Sequence, residues 1–225
     1  MKEIIIEDQS ILVCLKSPGQ PVQSDLTDDL DLQTMLIDYM KNKGYESPYI
    51  GLVHRIDRPV GGLVVFGKNP KATAHLSKQL QDRSFKKSYL AIVKGQPTDQ
   101  NLTHHLKKKF KGNVSSVVKK EMKGAKEARL SFKVLKPMML DNERYSLISI
   151  QLETGRHHQI RVQLSHIGHP IWGDTKYNPD FMNKKGWYQI ALFSHEIQFI
   201  HPKTLKSVHY SKQPTHYPFD QIEHD

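Results

Sequence analysis

The chain has 225 residues, 37% of them hydrophobic and 25% charged, with a formal net charge of +10 at pH 7. That length can bury a sizeable core as one large domain or two small ones, and the apolar content is that of a soluble globular protein. A lone cysteine, Cys14, excludes an intrachain disulfide; with no cleavable leader pattern and no apolar run of bilayer length, a reducing, cytoplasmic setting is expected.

In chain order, "EIIIED" and "SILVCLK" are short runs rich in Ile, Leu and Val, and both predict strands. "SPGQPVQSD" is a turn-rich break. "DDLDLQTMLIDYMKNKG" predicts a helix, because Leu32, Met35, Leu36, Tyr39 and Met40 fall on one stripe. Acidic residues lead it, lysines end it, and Gly44 can close it in the left-handed conformation. "GLVVFGK" is a strand. "NPKATAHLSKQLQDRSF" starts a second helix, with Asn69 as N-cap and Pro70 at the first helical position. "KKSYLAIVKG", "ARLSFKVLK" and "YSLISIQLE" predict strands, the last placing Ile148, Ile150 and Leu152 on one side. "HHQIRVQLSHIG" predicts a helix through Ile160, Leu164 and Ile167, and "ALFSHEIQFIHP" and "SVHYSK" close the chain as strands. No internal repeat or low-complexity linker divides the sequence, so a single domain over residues 1–225 is expected. Strands outnumber helices and do not alternate with them regularly. The expected fold is therefore α+β, with a mixed, mostly antiparallel sheet and flanking helices.

The positive charge is clustered. Residues 105–129, "HLKKKFKGNVSSVVKKEMKGAKEAR", hold nine Lys or Arg and two Glu, which is seven of the ten net charges. Two readings fit: a surface for a polyanion, most often nucleic acid, or a solvated loop. An anionic membrane fits less well, because no Trp, Leu or Phe face accompanies the lysines.

Two knots of polar residues carry the candidate chemistry. In "GLVHRIDRPVGGLVVFGK", Asp57 lies between Arg55 and Arg58, with His54 upstream. Two flanking guanidiniums suit a carboxylate that serves as nucleophile or hydrogen-bond acceptor rather than as an acid. A plain surface turn with incidental ion pairs has the same residues, and Gly61 and Gly62 serve either case. In "LETGRHHQIRVQLSHIGHPIWGD", Arg161 sits beside the core stripe on a face different from that of Leu164, so it needs an anionic partner, for which Asp57 is the candidate. His157, His158, His166 and His169 do not have the spacing of a helical metal pair and no cysteine pair assists, so no metal site is expected. His158 is placed at a polar cleft, and His166 and His169 at the helix end. No phosphate-cradling or dinucleotide glycine pattern occurs.

Taken together, these stretches resemble the RluA-type pseudouridine synthases. "HRID" with the following turn and "GLVVFGK" is similar to that family's catalytic motif. "ILVCLKSPGQPVQ" is similar to its opening strand and Lys-Pro-Gly turn, "FKKSYLAIVKG" to its Lys-x-Tyr strand, and "GRHHQIRVQLSHIGHPIWGD" to its Arg-x-His-Gln-Ile-Arg motif and the loop after it. The likeness runs from about residue 6 to residue 212. Ser17 interrupts the Lys-Pro pair, "PVG" replaces a Thr-Ser-Gly-type turn, and His157 stands where Thr is common. The small RNA-binding domain that precedes many catalytic domains of the family is expected to be absent.

The resemblance implies a cofactor-independent isomerase acting on ribosomal or transfer RNA, without metal. It implies Asp57 as nucleophile and Arg161 as its partner. Tyr89 would lie against the uracil and serve as a candidate base for the C5 proton. Arg55 would fill the stack vacated by an extruded base or contact phosphate. Ile160 would pack beside the pocket, and Arg58, Arg156 and His158 would contact substrate. Lys107, Lys108 and Lys109 would supply phosphate contacts. Two other classes share the scaffold's features: a non-catalytic RNA binder, and a nucleic-acid hydrolase, which would need a metal or activated water. A monomer is the expected state.

Overall fold

A computed structural model describes residues 3–24, 29–109 and 111–222. The elements are β1 (Ile4–Glu7), β2 (Ile11–Lys16), α1 (Leu32–Asn42), β3 (Gly51–Leu52), β4 (Gly61–Gly67), α2 (Pro70–Gln81), β5 (Lys86–Lys94), β6 (Gln100–Lys109), β7 (Val114–Val118), β8 (Lys126–Leu140), β9 (Glu143–Leu152), α3 (Gln159–His166), α4 (Pro179–Met182), β10 (Leu192–Ile200) and β11 (Ser207–Ser211). The chain divides into two compact units: Met1–Lys86 with Ser194–Lys212, and Lys87–Phe193 with Gln213–Asp225. The architecture is the expected α+β class, with few helices and mostly antiparallel pairing.

In the first unit β1, β2, β4 and β10 run side by side, β3 pairs with β4, and β11 pairs with β10. The β2–β4 register sets Val13 against Val65 and Leu15 against Leu63. One face of these strands buries Ile11, Val13, Leu63, Val65, Ile197 and Phe199 against Leu76 of α2 and Phe85. Each such side chain contributes about 1.5–3 kcal/mol on leaving water. The second helix starts as its sequence predicts, whereas α1 begins at Leu32, inside the stretch expected to be helical. Asp31 caps α1 by accepting from Thr34 N at 3.0 Å, and Asn69 caps α2 by accepting from Ala72 N at 2.8 Å. Leu32, Leu36 and Met40 are the buried stripe of α1, while Met35 and Tyr39 stay half-buried at its margin.

The second unit contains the antiparallel series β5–β9–β8–β6–β7. Tyr89 on β5 pairs with Ile150 on β9. Asp141 and Asn142 turn β8 into β9 with both φ angles positive (49° and 62°), the hairpin geometry that Asn and Asp tolerate best. The main difference from the sequence expectation is the lysine-rich stretch. Most of residues 105–118 is not a loop but the β6–β7 hairpin, in register from His105↔Val118 to Lys109↔Val114. Its buried positions are few: Leu102, Leu106 and Ser115 are buried, Val114, Val117 and Val118 are half-buried, and charged or polar residues fill the rest. That sparse apolar signal hides the strand period in the sequence.

Candidate active site

The first unit supplies the "HRID" loop. Its side chains alternate in environment: His54 and Ile56 are buried, Arg55 is exposed and Asp57 is half-buried. Val65 N–H donates to His54 Nε2 at 3.2 Å, so Nε2 is the unprotonated nitrogen and the ring is pinned to β4. The ring also packs on Phe85, at 5.5 Å between centroids. Asp57 C=O accepts from Val60 N at 2.9 Å, which closes the turn into β4.

The next tether was not foreseen. Lys16, at the end of β2, is 1% exposed, and its ammonium donates to the carbonyls of Ser17, Gln20 and Arg58 at 3.0, 2.8 and 3.0 Å. Gly19 N donates to Arg58 O at 2.8 Å and Arg58 Nε donates back to Gly19 O at 2.9 Å. Arg58 also pairs with Asp29. Asp57 is thus carried on a loop fixed on both sides, by His54 before it and by the Lys16–Gly19–Arg58 brace after it. Gly62 completes the geometry. Its φ is +125°, and an added Cβ would stand 2.4 Å from the Ser194 carbonyl. A glycine is therefore required at this point of "PVGG".

The second unit supplies the arginine. α3 begins at a lock built by Gln159. Its Oε1 accepts from Thr154 Oγ1 at 2.7 Å and from Arg156 N at 3.0 Å, while its Nε2 donates to Arg129 O at 3.0 Å. His158 takes the left-handed conformation at the N-cap, with φ 53°. From Gln159 to Leu164 every residue of α3 is buried, Arg161 as well as Leu164.

Arg161 is anchored in a fully buried bidentate pair. Its Nε and Nη2 donate to Asp174 Oδ2 and Oδ1 at 2.8 and 2.7 Å, with side-chain exposures of 3% and 0%. Asp174 Oδ1 further accepts from Lys176 N at 2.9 Å and Tyr177 N at 3.2 Å. Asp174 is a site residue that the sequence reading passed over, although it stands in the quoted "GHPIWGD". Charge alone does not rank it above the other carboxylates. Only the fold brings it to Arg161.

A relay links this pair to the basic hairpin. The Arg161 guanidinium lies 5.2 Å from the Tyr177 ring centre. Ser115 N on β7 donates to Tyr177 Oη at 2.6 Å, and Tyr177 Oη lies 2.9 Å from His158 Nδ1. Burial first, then the nearby Arg161 charge, pushes His158 down to about 2, so it is neutral at ordinary pH. The Tyr177 hydroxyl therefore accepts from Ser115 N and shares a second hydrogen bond with the neutral His158 ring. His157 stacks on His158 at 3.8 Å and meets Ser115 Oγ at 2.9 Å. Lys176 Nζ donates to the carbonyls of Gly112 and Asn113 at the hairpin turn, at 3.3 and 3.1 Å.

The remaining candidates fall as follows. Tyr89 is 5% exposed within β5, and Ile160 is buried on α3. Arg156 is exposed, with its Nε given to Glu127 O at 2.8 Å. Lys108 and Lys109 are exposed and Lys107 is half-buried; none has a carboxylate partner among the described residues. His166 stacks edge-on against His104, and His169 Nδ1 meets Lys94 O at 2.8 Å, so both serve packing at the helix end. Lys87, two residues before Tyr89 on β5, lies over Gly155, and burial pushes its ammonium down to about 8. Among the described residues no group of three His, Cys, Asp or Glu could hold a metal ion.

Residues 10–166 match the RNA pseudouridylate synthase family, a span that contains Asp57, Tyr89 and Arg161. The chain belongs to that family. It is 31% identical to the ribosomal large subunit pseudouridine synthase C of Buchnera aphidicola subsp. Schizaphis graminum, over 93% of this chain and 66% of the relative. It is 27% identical to the tRNA pseudouridine synthase C of Haemophilus ducreyi, over 92% of this chain and 88% of that protein. The chain thus spans about two thirds of the first of these relatives and most of the second. The solved structure of human RNA pseudouridylate synthase domain containing 1 shares the fold, with a TM-score of 0.80 at 20% identity over 97% of this chain and 85% of that one.

Proposed function

We propose that the protein is an RNA pseudouridine synthase that converts uridines in ribosomal or transfer RNA through the carboxylate of Asp57. Family membership supports the reaction class, and the relatives' names supply the two RNA classes. The observation that carries the role of Asp57 is the braced loop: a half-exposed carboxylate on a backbone fixed by His54, Lys16 and Gly19, inside the family's matched span.

The isomerisation breaks the bond from N1 to C1′, turns the uracil and joins C5 to C1′. The C5 proton leaves and N1 gains one, with no change of oxidation state. The Asp57 carboxylate either attacks C1′, as in retaining glycoside cleavage, or adds to C6. Arg161, held rigid by Asp174, orients the carboxylate and balances its charge. Tyr89 stacks on the uracil and takes the C5 proton. Ile160 lines the pocket, and Arg55 occupies the stack that the extruded base leaves. Arg58, Arg156, His158 and the hairpin lysines 107–109 hold the RNA backbone, directly or by fixing the elements that do. The test is tritium release from RNA labelled at uridine C5, with product nucleosides separated. Release with pseudouridine formation supports the reading. Release of free uracil, or chain cleavage, would overturn it in favour of a hydrolase.

A further inference from the structure

Residues 182–187, "MNKKGW", form the longest wholly exposed run in the second unit's 170–193 segment, and Trp187 is its most exposed large hydrophobic side chain at 66%. The other tryptophan, Trp172, is buried at 7%. The run is not loosely attached. Trp172 packs against Phe181, Tyr188 and Tyr217, with ring centres 5.0, 6.4 and 5.1 Å away. Lys184 Nζ sits 4.4 Å from the Phe181 ring centre. Gly173 lets the returning chain pass close, since a Cβ there would stand 2.7 Å from Gln189 O. The next residue is Asp174, the anchor of Arg161. An exposed indole therefore directly precedes Tyr188, a member of an aromatic cluster that begins two residues from the buried ion pair.

Lys184 and Lys185 flank the indole, and neither has a carboxylate partner among the described residues. Gly186, with φ +103° and open space around it, gives the chain freedom to present Trp187. Lysine is depleted at protein–protein interface cores, whereas surfaces for single-stranded nucleic acid combine aromatic faces with cations.

We infer that Trp187, with Lys184 and Lys185, is a stacking platform for an unpaired base of the RNA beside the target uridine. This rests on the synthase reading but concerns residues outside the matched span 10–166. The platform places RNA and does no chemistry, and it accepts any base because every base has a stacking face.

The test uses the whole chain and its own fluorescence. Titrated with a single-stranded oligouridylate of ten nucleotides, the wild type should lose tryptophan emission, whereas a fully paired duplex of that length should cause little loss. Trp187→Phe should abolish the quench. Trp187→Ala should weaken oligonucleotide binding about five- to a hundredfold. Lys184→Gln with Lys185→Gln should lower the slope of log affinity against log salt by about 1.4. A quench that persists in Trp187→Phe, or equal affinity in Trp187→Ala, would overturn the platform. So would unchanged RNA affinity with self-association lost in Trp187→Ala, which would assign the surface to a second protein copy. Tritium release in the same preparations separates the two readings. Turnover with an inert Trp187 defeats the platform alone, and absence of wild-type turnover defeats the synthase reading whatever the fluorescence does.

Discussion

The two units hold their key residues by different chemistry. In the first, the loop bearing Asp57 is braced largely through backbone groups: Lys16 donates to three carbonyls, Gly19 and Arg58 exchange hydrogen bonds, and His54 accepts from Val65 N. In the second, Arg161 is fixed by side chains: a buried carboxylate, a tyrosine and two stacked histidines. Backbone acceptors do not titrate or change identity by mutation, so the first brace depends on few side chains: Lys16, Arg58 and His54. The side-chain network is strong only while every member is present and correctly protonated.

The largest expected effect is at Asp174. Asp174→Asn removes the buried carboxylate that holds Arg161 in a bidentate pair and should lower unfolding stability by about 3–5 kcal/mol, read by urea denaturation. Replacing both partners, Arg161→Met with Asp174→Leu, should recover most of that stability and none of the turnover. Recovery of turnover would remove Arg161 from the chemistry.

Lys16→Met should cost roughly 2–3 kcal/mol, because buried carbonyls lose their donor while the apolar stem is retained. Its distinctive signature is a fall in kcat at unchanged RNA affinity, since the loop that relaxes carries Asp57.

Acid should separate the units next. The folded state keeps His158 neutral down to about 2, whereas the unfolded chain takes up a proton near 6.5. Stability from this residue is therefore complete above about 6.5 and is lost as pH falls below it, by about 2 kcal/mol at pH 5. Thermal unfolding at pH 7 and pH 5 should show the loss, and His158→Gln should flatten it. An equal acid loss in His158→Gln would place the sensitivity elsewhere.

The smallest effect on stability is expected at the hairpin. Lys107→Gln, Lys108→Gln and Lys109→Gln together should leave stability within about 0.5 kcal/mol. They should flatten the salt dependence of RNA binding by about 2 to 3 in slope and raise KM, with single-turnover conversion at saturating RNA unchanged. Loss of saturating turnover at constant affinity would instead make the hairpin part of the catalytic machinery, acting through Ser115 and Tyr177.

The same contrast explains what could be read from the sequence. The helix starts at Asn69 and Pro70, the strand carrying Tyr89 and the loop around Asp57 were legible because caps, turn residues and apolar periods are local signals. The burial of Lys16 was not, because a lysine at a strand end ordinarily reaches solvent and only the return of the 54–60 loop encloses it. Asp174 and Tyr177 were illegible for a similar reason: their partners lie 13 and 62 residues away in the chain. The hairpin was missed because strand pairing, and not apolar content, holds it in place.

The central claim is that the carboxylate of Asp57 does the chemistry, and Asp57→Asn tests it most directly. The substitution keeps the size of the side chain and, on this account, the braced loop and the RNA affinity. The measurement is tritium release from C5-labelled uridine in RNA, beside RNA affinity and thermal unfolding of the same protein. The expected result is release at background with affinity and unfolding temperature close to wild type. Turnover above background in a folded, RNA-binding Asp57→Asn protein would contradict the account.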